Sequence, residues 1–127
     1  MNKINKDNLT SFLEYYFYLH DSFIADIKDF DNKIELIINV FWSGKTILKE
    51  DNTYETNQTK LRIVLNNIER RSDEEDYFSD YIDEVFINFI KLNNKEYICF
   101  ASDKKEPSFY AVCESMEYEE LKICLWF

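Results

Sequence analysis

The residue types best suited to chemistry form one short run, His20-Asp21-Ser22, which contains the three residues of a hydrolytic triad. Members of such a triad converge from separate chain positions with a defined geometry, so adjacent residues do not readily form one. A structural role is favoured instead. Asp21 and Ser22 are expected to hydrogen-bond nearby backbone amides, with His20 near the carbonyl end of a helix. The run therefore predicts a structural element and no catalytic residue.

Cysteine offers the other nucleophile, and the chain has three, Cys99, Cys113 and Cys124. An odd count without C-x-x-C spacing, inside apolar runs, is typical of reduced, buried cysteines in a cytosolic protein. A nucleophilic cysteine needs a base, and the only histidine is His20. A cysteine–histidine pair assembled in space stays an open alternative. We predict that the chain is not an enzyme.

Metal and phosphate sites are also disfavoured. One histidine and three scattered cysteines do not make a zinc site. A phosphate-binding loop needs several glycines close together, and this chain has one, Gly44. The sequence therefore predicts no cofactor and no metal.

The acidic composition points to a class of partner. The chain has 127 residues, expected to form a single domain over residues 1–127, and its formal net charge is −10. Such a charge disfavours direct binding to nucleic acid or to an anionic membrane and favours a basic protein partner. The alternative is that the charge serves solubility alone. Neither a signal peptide nor a membrane-spanning run is recognisable, so a cytoplasmic location is expected.

One acidic segment, residues 73–84, is the predicted partner-binding surface. Acidic side chains interleaved with aromatic ones suit an interface, because carboxylates steer a basic partner and aromatic rings supply buried anchors. The predicted partner-binding residues are Asp73, Glu74, Asp76, Tyr77, Asp80, Tyr81, Asp83 and Glu84. The alternatives are an amphipathic edge helix with Phe78 and Ile82 in the core, or an extended acidic loop.

Hydrophobic periodicity predicts the elements that position these residues. Apolar residues spaced for one helical face begin at Leu9 and continue to His20, which predicts an N-terminal helix ending between residues 19 and 22. Alternation with a period of two then predicts strands. The predicted strands are 23–30, 34–42, 60–68, 85–92, 96–102, 109–114 and 121–127, with turns at 31–32 and 93–94, a long loop at 43–59 and a short helical insert around 77–82.

The predicted fold class is α+β. The N-terminal helix is expected to pack on a mostly antiparallel, strongly curved sheet or half-barrel of about seven strands. Hairpin connections between successive strands favour antiparallel pairing, and strands that are apolar on both faces favour a covered or curled sheet.

The stretch Leu19-His20-Asp21-Ser22, followed by a strand, resembles an element of small bacterial α+β proteins. The later run 61–68 fits the same pattern, except that Asn66-Asn67 stands where a glycine is expected. Some of these proteins resemble immunity proteins of polymorphic or contact-dependent toxin systems. The resemblance implies a fold and a role, and it carries over no catalytic residue.

Taken together, these features predict an immunity or antitoxin-type protein that binds and neutralises a basic toxin, with a nuclease as the expected target. A phage-encoded inhibitor of a host nuclease or defence complex, acting as a nucleic-acid mimic, is one alternative. A small ligand-binding domain and a structural subunit are the others.

Overall fold

The computed structural model describes residues 1–55, 59–73, 81–103 and 107–121, and strands dominate this part of the chain. The elements in chain order are β1 (Asn2–Lys3), α1 (Leu9–Tyr15), β2 (Ser22–Phe30), β3 (Lys33–Val40), β4 (Ile47–Leu48), β5 (Tyr54–Glu55), β6 (Thr59–Arg71), β7 (Tyr81–Ile82), β8 (Phe86–Leu92), β9 (Lys95–Ala101) and β10 (Tyr110–Leu121).

Seven strands form a continuous antiparallel sheet in the order β7-β2-β3-β6-β10-β9-β8, and β1 pairs with β10. The sheet curls into a half-barrel, which confirms the predicted mostly antiparallel, curved sheet. Strands β4 and β5 form a separate two-stranded hairpin. The β6–β10 pairing shifts register between Val112 and Cys113, a bulge in the centre of the sheet.

Asparagine and aspartate close the tight turns. Asp31, between β2 and β3, has φ 50°, and Asn93 and Asn94, between β8 and β9, have φ 52° and 66°. These residue types enter the left-handed region more easily than others because a short polar side chain can hydrogen-bond locally. Both predicted turns are confirmed.

The core lies where the curved sheet meets the N-terminal segment. Alternate residues of β3, Ile34, Leu36 and Ile38, are almost fully buried and share one hydrophobic cluster with Phe12 of α1. The Phe12 ring also contacts Tyr118 of β10, with centroids 4.6 Å apart. The short helix therefore packs on the sheet through Phe12, which supports the predicted helix-on-sheet packing only in part.

The helix is shorter than predicted. It ends at Tyr15, and residues Phe17–Leu19 form a separate tight turn with positive φ, so Phe17 and His20 do not continue its apolar face. The predicted long loop at 43–59 was also wrong in part, because it contains the β4–β5 hairpin. The second predicted strand ends at Val40 and not at Trp42.

Two further predictions need correction. Tyr81 and Ile82 form the edge strand β7 beside β2, so the predicted helical insert does not include them; residues 74–80 lie outside the described part of the chain. The predicted strand 109–114 was too short, because β10 continues to Leu121 through Glu114, Glu117, Glu119 and Glu120; residues 122–127 lie outside the described part of the chain. Among the helices of the described ranges, none has the length and the apolar character that a membrane span requires.

Candidate partner-binding surface

A strained turn connects α1 to β2. Phe17, Tyr18, Leu19 and Asp21 have φ of 51°, 54°, 54° and 59°, a left-handed conformation that costs bulky residues about 1–2 kcal/mol each. Surrounding structure compensates, since Leu19 is completely buried and the Tyr18 carbonyl accepts a 2.9 Å hydrogen bond from the Val85 amide. Strain of this kind is often found at functional sites. Here it leaves the Phe17 ring 48% exposed.

The Asp21 carboxylate is held in place from two directions. Its Oδ2 accepts a 3.1 Å hydrogen bond from the Trp42 indole N–H, and its Oδ1 accepts a 2.6 Å bond from the Tyr81 hydroxyl. Hydrogen bonds to the charged form favour it, so the Tyr81 and then the Trp42 bond lower the pKa of Asp21. The same contact raises the pKa of Tyr81 to about 12. Asp21 is therefore an oriented anion at the surface.

His20 lies between three carboxylates. Its Nδ1 is 2.6 Å from the Asp83 carbonyl oxygen, and its Nε2 is 3.4 Å from Asp21 Oδ2. The hydrogen bond to that carbonyl is the largest cause and raises the pKa of His20; burial is the next largest and lowers it, and the charges of Asp21, Asp83 and Glu84 raise it further. Three carboxylates face one histidine here, so the local potential is negative.

A groove of about 560 Å³ opens beside this cluster. Its apolar walls come from Phe17 and Tyr18 of the strained turn and from Trp42, Leu48 and Tyr54. Polar groups from His20, Thr46 and Glu84 also line it. The Trp42 and Tyr54 rings meet at 90° with centroids 5.0 Å apart, which makes an aromatic corner.

Exposed aromatic side chains continue the groove onto the surrounding surface. Tyr54 is 56% exposed and Phe23 50%, and the Phe23 ring contacts Tyr81 at 5.6 Å. Clustered exposed rings beside charged groups are characteristic of interaction sites. We name as the aromatic–acidic surface the residues Phe17, His20, Asp21, Phe23, Trp42, Leu48, Tyr54, Tyr81, Asp83 and Glu84.

The segment that carries Trp42 and the β4–β5 hairpin is fixed at its base. Gly44 lies against the Tyr15 ring so closely that a Cβ atom there would be 2.4 Å from Tyr15 Cε2. Lys45 Nζ donates a 2.7 Å hydrogen bond to Glu120, and the Tyr16 hydroxyl donates another of 2.7 Å to the same carboxylate. This glycine is therefore needed for close approach, and the groove wall is attached to α1 and β10.

The acidic cluster on β10 differs from the one at the groove. Its glutamates contact cations and amides of the chain itself: Glu114 pairs with Lys95, Glu117 accepts from Asn66, Glu119 pairs with Arg62, and Glu120 pairs with Lys45. In the described ranges, the hydrogen-bond donors to the Asp21 side chain, Trp42 and Tyr81, are neutral. Asp21 is thus oriented by neutral donors, with the imidazole Nε2 of His20 3.4 Å from its carboxylate.

The predicted surface residues fall in three places. Tyr81, Asp83 and Glu84 lie together beside Asp21, and Asp83 is exposed. Asp73 follows the end of β6, where Arg71 contacts Asp29 of β2. Asp29 is seven residues from Ser22 along that strand, which corresponds to roughly 23 Å at strand spacing. The other four, Glu74, Asp76, Tyr77 and Asp80, lie outside the described residues.

The His20-Asp21-Ser22 run agrees with its predicted structural role only in part, because α1 ends at Tyr15 and the His20 ring contacts the Asp83 carbonyl and not the carbonyl end of that helix. Ser22 Oγ accepts a 3.4 Å hydrogen bond from the Phe41 amide, as expected. Asp21 was predicted to bind a backbone amide, but its carboxylate accepts hydrogen bonds from the side chains of Trp42 and Tyr81. Cys113 is buried, and desolvation raises its thiol pKa to about 12, while Cys99 is half-buried. Cys124 lies outside the described part.

Of the eight residues that line the groove, only Glu84 was predicted from the sequence; the apolar side chains that were missed include Phe17, Trp42, Leu48 and Tyr54. Phe17 has helical spacing and Trp42 has strand spacing, so both patterns assigned these rings to the core. Within residues 1–55, 59–73, 81–103 and 107–121, no group of three histidine, cysteine or carboxylate side chains is arranged to hold a metal ion. The chain matches no known family model, no curated protein and no solved structure.

Proposed function

We propose that this chain is an immunity or antitoxin-type protein, which neutralises a basic toxin by binding it through the aromatic–acidic surface. One observation carries the proposal: the oriented carboxylate of Asp21 lies among exposed aromatic rings beside a groove. Oriented carboxylates speed association with a basic protein, and aromatic rings that become buried supply most of the affinity.

The net charge of −10 supports the same conclusion. Long-range attraction depends on the whole charge distribution, and a protein of this charge attracts basic proteins and repels nucleic acid. A nuclease is the expected target, because nucleases carry positive surfaces that bind phosphate. Carboxylates on a rigid inhibitor can occupy those phosphate positions.

A small-molecule ligand is the second candidate, and the groove favours it. Small-molecule sites are mostly apolar clefts of roughly 300–1,000 Å³ with a few polar groups, and this groove of about 560 Å³ fits that description. The two candidates differ in what binds: a neutral apolar compound would not depend on the charges of Asp83 and Glu84.

The experiment begins with the gene immediately upstream of the one that encodes this chain. Its product is expressed in a test host alone and together with this chain, and growth is followed. The proposal predicts growth arrest by the upstream product and recovery on co-expression. The double substitution Asp83→Lys and Glu84→Lys is expected to reduce recovery.

The matched control changes charge equally outside the groove, with Asp26→Lys and Glu69→Lys on exposed strand positions. This control is expected to retain recovery, and thermal unfolding checks that both double variants fold. An upstream product that is not toxic, or one that is toxic but not neutralised, overturns the proposed function. Recovery that both double variants retain equally overturns the proposed surface.

A further inference from the structure

We infer that the groove binds one arginine side chain of the basic partner, laid against the aromatic corner of Trp42 and Tyr54 with its charge beside Glu84. This inference rests on the proposed function for the identity of the partner as a basic protein. Beyond the proposed function, it identifies the chemical group of the partner that enters the groove.

The aromatic corner favours a flat cation. The Trp42 and Tyr54 rings stand at 90° with centroids 5.0 Å apart, so a planar group stacked on one ring lies perpendicular to the plane of the other. The Trp42 ring is fixed in orientation by its hydrogen bond to Asp21. A guanidinium stacked on an aromatic face is attracted by the ring's negative face, and tryptophan is the strongest such partner.

The charges of the groove complement a cation. Glu84 and His20 line it, and Asp21 and Asp83 lie next to His20. The carboxylates outnumber the histidine, so a neutral or anionic occupant gains less than a cation does. Charge complementarity thus selects a basic side chain over a neutral apolar one.

Arginine fits better than lysine for two reasons. Its guanidinium is planar, more weakly hydrated than an ammonium and able to stack on rings. It can also donate two parallel hydrogen bonds to one carboxylate, whereas lysine acts as a point charge. Phe17 and Leu48 supply apolar surface for the methylene stem of the side chain.

The test uses capped pentapeptides Gly-Ser-X-Ser-Gly, with X as arginine, lysine, norleucine or citrulline, titrated into the intact chain and followed by NMR. Citrulline has the shape of arginine without its charge. We expect the arginine peptide to bind more tightly than the citrulline peptide by about three- to thirty-fold, the range that a cation–π contact contributes. Lysine is expected to be intermediate.

Two variants localise the effect. Tyr54→Leu keeps apolar bulk at an exposed position, and Glu84→Gln removes one charge, so neither threatens the core. Each is expected to reduce the arginine-over-citrulline preference by at least about threefold, and Asp26→Asn is the control that leaves it unchanged.

Equal binding of the arginine and citrulline peptides, or no binding of any peptide, overturns the inference. So does an arginine preference that survives both Tyr54→Leu and Glu84→Gln. The peptide titration does not use the toxin, so its result is separate from the growth experiment. If growth is restored but no peptide preference exists, the proposed function stands and the arginine site does not.

Discussion

Trp42 donates its indole N–H to the carboxylate of Asp21 across 3.1 Å, which joins two parts of the chain that are 21 residues apart. Asp21 ends the strained turn after α1, and Trp42 follows β3 and begins the segment that carries the β4–β5 hairpin. Both walls of the groove therefore meet at this bond. The position of the anion and the orientation of the largest ring are set by one contact.

Tyr81 should report on the charge of Asp21. Its pKa is raised to about 12 because its hydroxyl donates to that carboxylate. Asp21→Asn removes the negative charge, so the Tyr81 pKa should fall toward the ordinary value of about 10. A ¹³C NMR titration of the tyrosine ring carbons measures this directly. Asp26→Asn serves as the control, and an unchanged Tyr81 pKa in Asp21→Asn would refute the hydrogen bond.

His20 is expected to titrate above its ordinary pKa of about 6.5, because its ring donates to the Asp83 carbonyl and faces three carboxylates. A raised pKa in the folded state means that protonated His20 favours folding. This contribution is complete below pH ~6.5 and is lost as the pH rises through the raised value. The chain has one histidine, so its NMR signal is unambiguous. A His20 pKa at or below 6.5 would contradict the described contacts.

Titration of His20 should also change the affinity for a cation, in the opposite direction to its effect on folding stability. Protonated His20 places a positive charge beside Asp21 and Glu84, so the arginine peptide should bind more tightly as the pH rises through the His20 pKa. The dissociation constant at pH 5.5 and pH 8.5 measures this. His20→Gln should remove most of the difference, and a pH dependence that persists in that variant would assign it to another group.

Gly44 should be intolerant of a side chain only while Tyr15 is present. Gly44→Ala places a methyl group 2.4 Å from Tyr15 Cε2 and, because Tyr15 is 41% exposed and its ring can move, is expected to lower the free energy of unfolding by only about 1 kcal/mol. Gly44 has no positive φ, so its backbone conformation suits alanine. In a Tyr15→Ala background, Gly44→Ala should therefore be neutral or stabilising by about 0.4–1 kcal/mol. Chemical denaturation of the four proteins gives both values. Equal costs in the two backgrounds would show that the ring contact is not the cause.

Much of the sheet could be predicted from the sequence because its signals are local. A period of two in β3 places Ile34, Leu36 and Ile38 on one buried face, and Asn93-Asn94 supplies residues that accept positive φ. Strand existence and turn position follow from such patterns without knowledge of distant contacts.

The departures have tertiary causes. The apolar spacing of α1 extends through Phe17, but burial of Leu19 and the bond from Val85 to Tyr18 draw the chain into a left-handed turn. The run of glutamates in β10 is typical of a loop sequence. It is stable within the sheet because these glutamates form ion pairs with residues of neighbouring strands, such as Arg62 and Lys95. Cross-strand pairing of this kind cannot be read from one segment alone.

The candidate surface includes three residues of the predicted acidic segment together with residues that the sequence did not indicate. The acidic segment did predict Tyr81, Asp83 and Glu84, which lie beside the groove. The aromatic residues that face them come from two other segments, and Trp42 joins the surface because the chain leaves the sheet at Val40. A ring beyond the end of a strand has the same sequence spacing as a ring within it, so periodicity could not separate the two cases.

Stopped-flow association of the purified chain with the upstream gene product is the measurement that tests the central claim most directly. If the aromatic–acidic surface captures a basic protein, the association rate constant should fall steeply between about 0.05 and 0.5 M salt. At low salt the Asp83→Lys, Glu84→Lys variant should associate at least about tenfold more slowly than the Asp26→Lys, Glu69→Lys control of equal net charge. An association rate constant that does not change with salt concentration, or that is reduced equally in both double variants, would contradict the account.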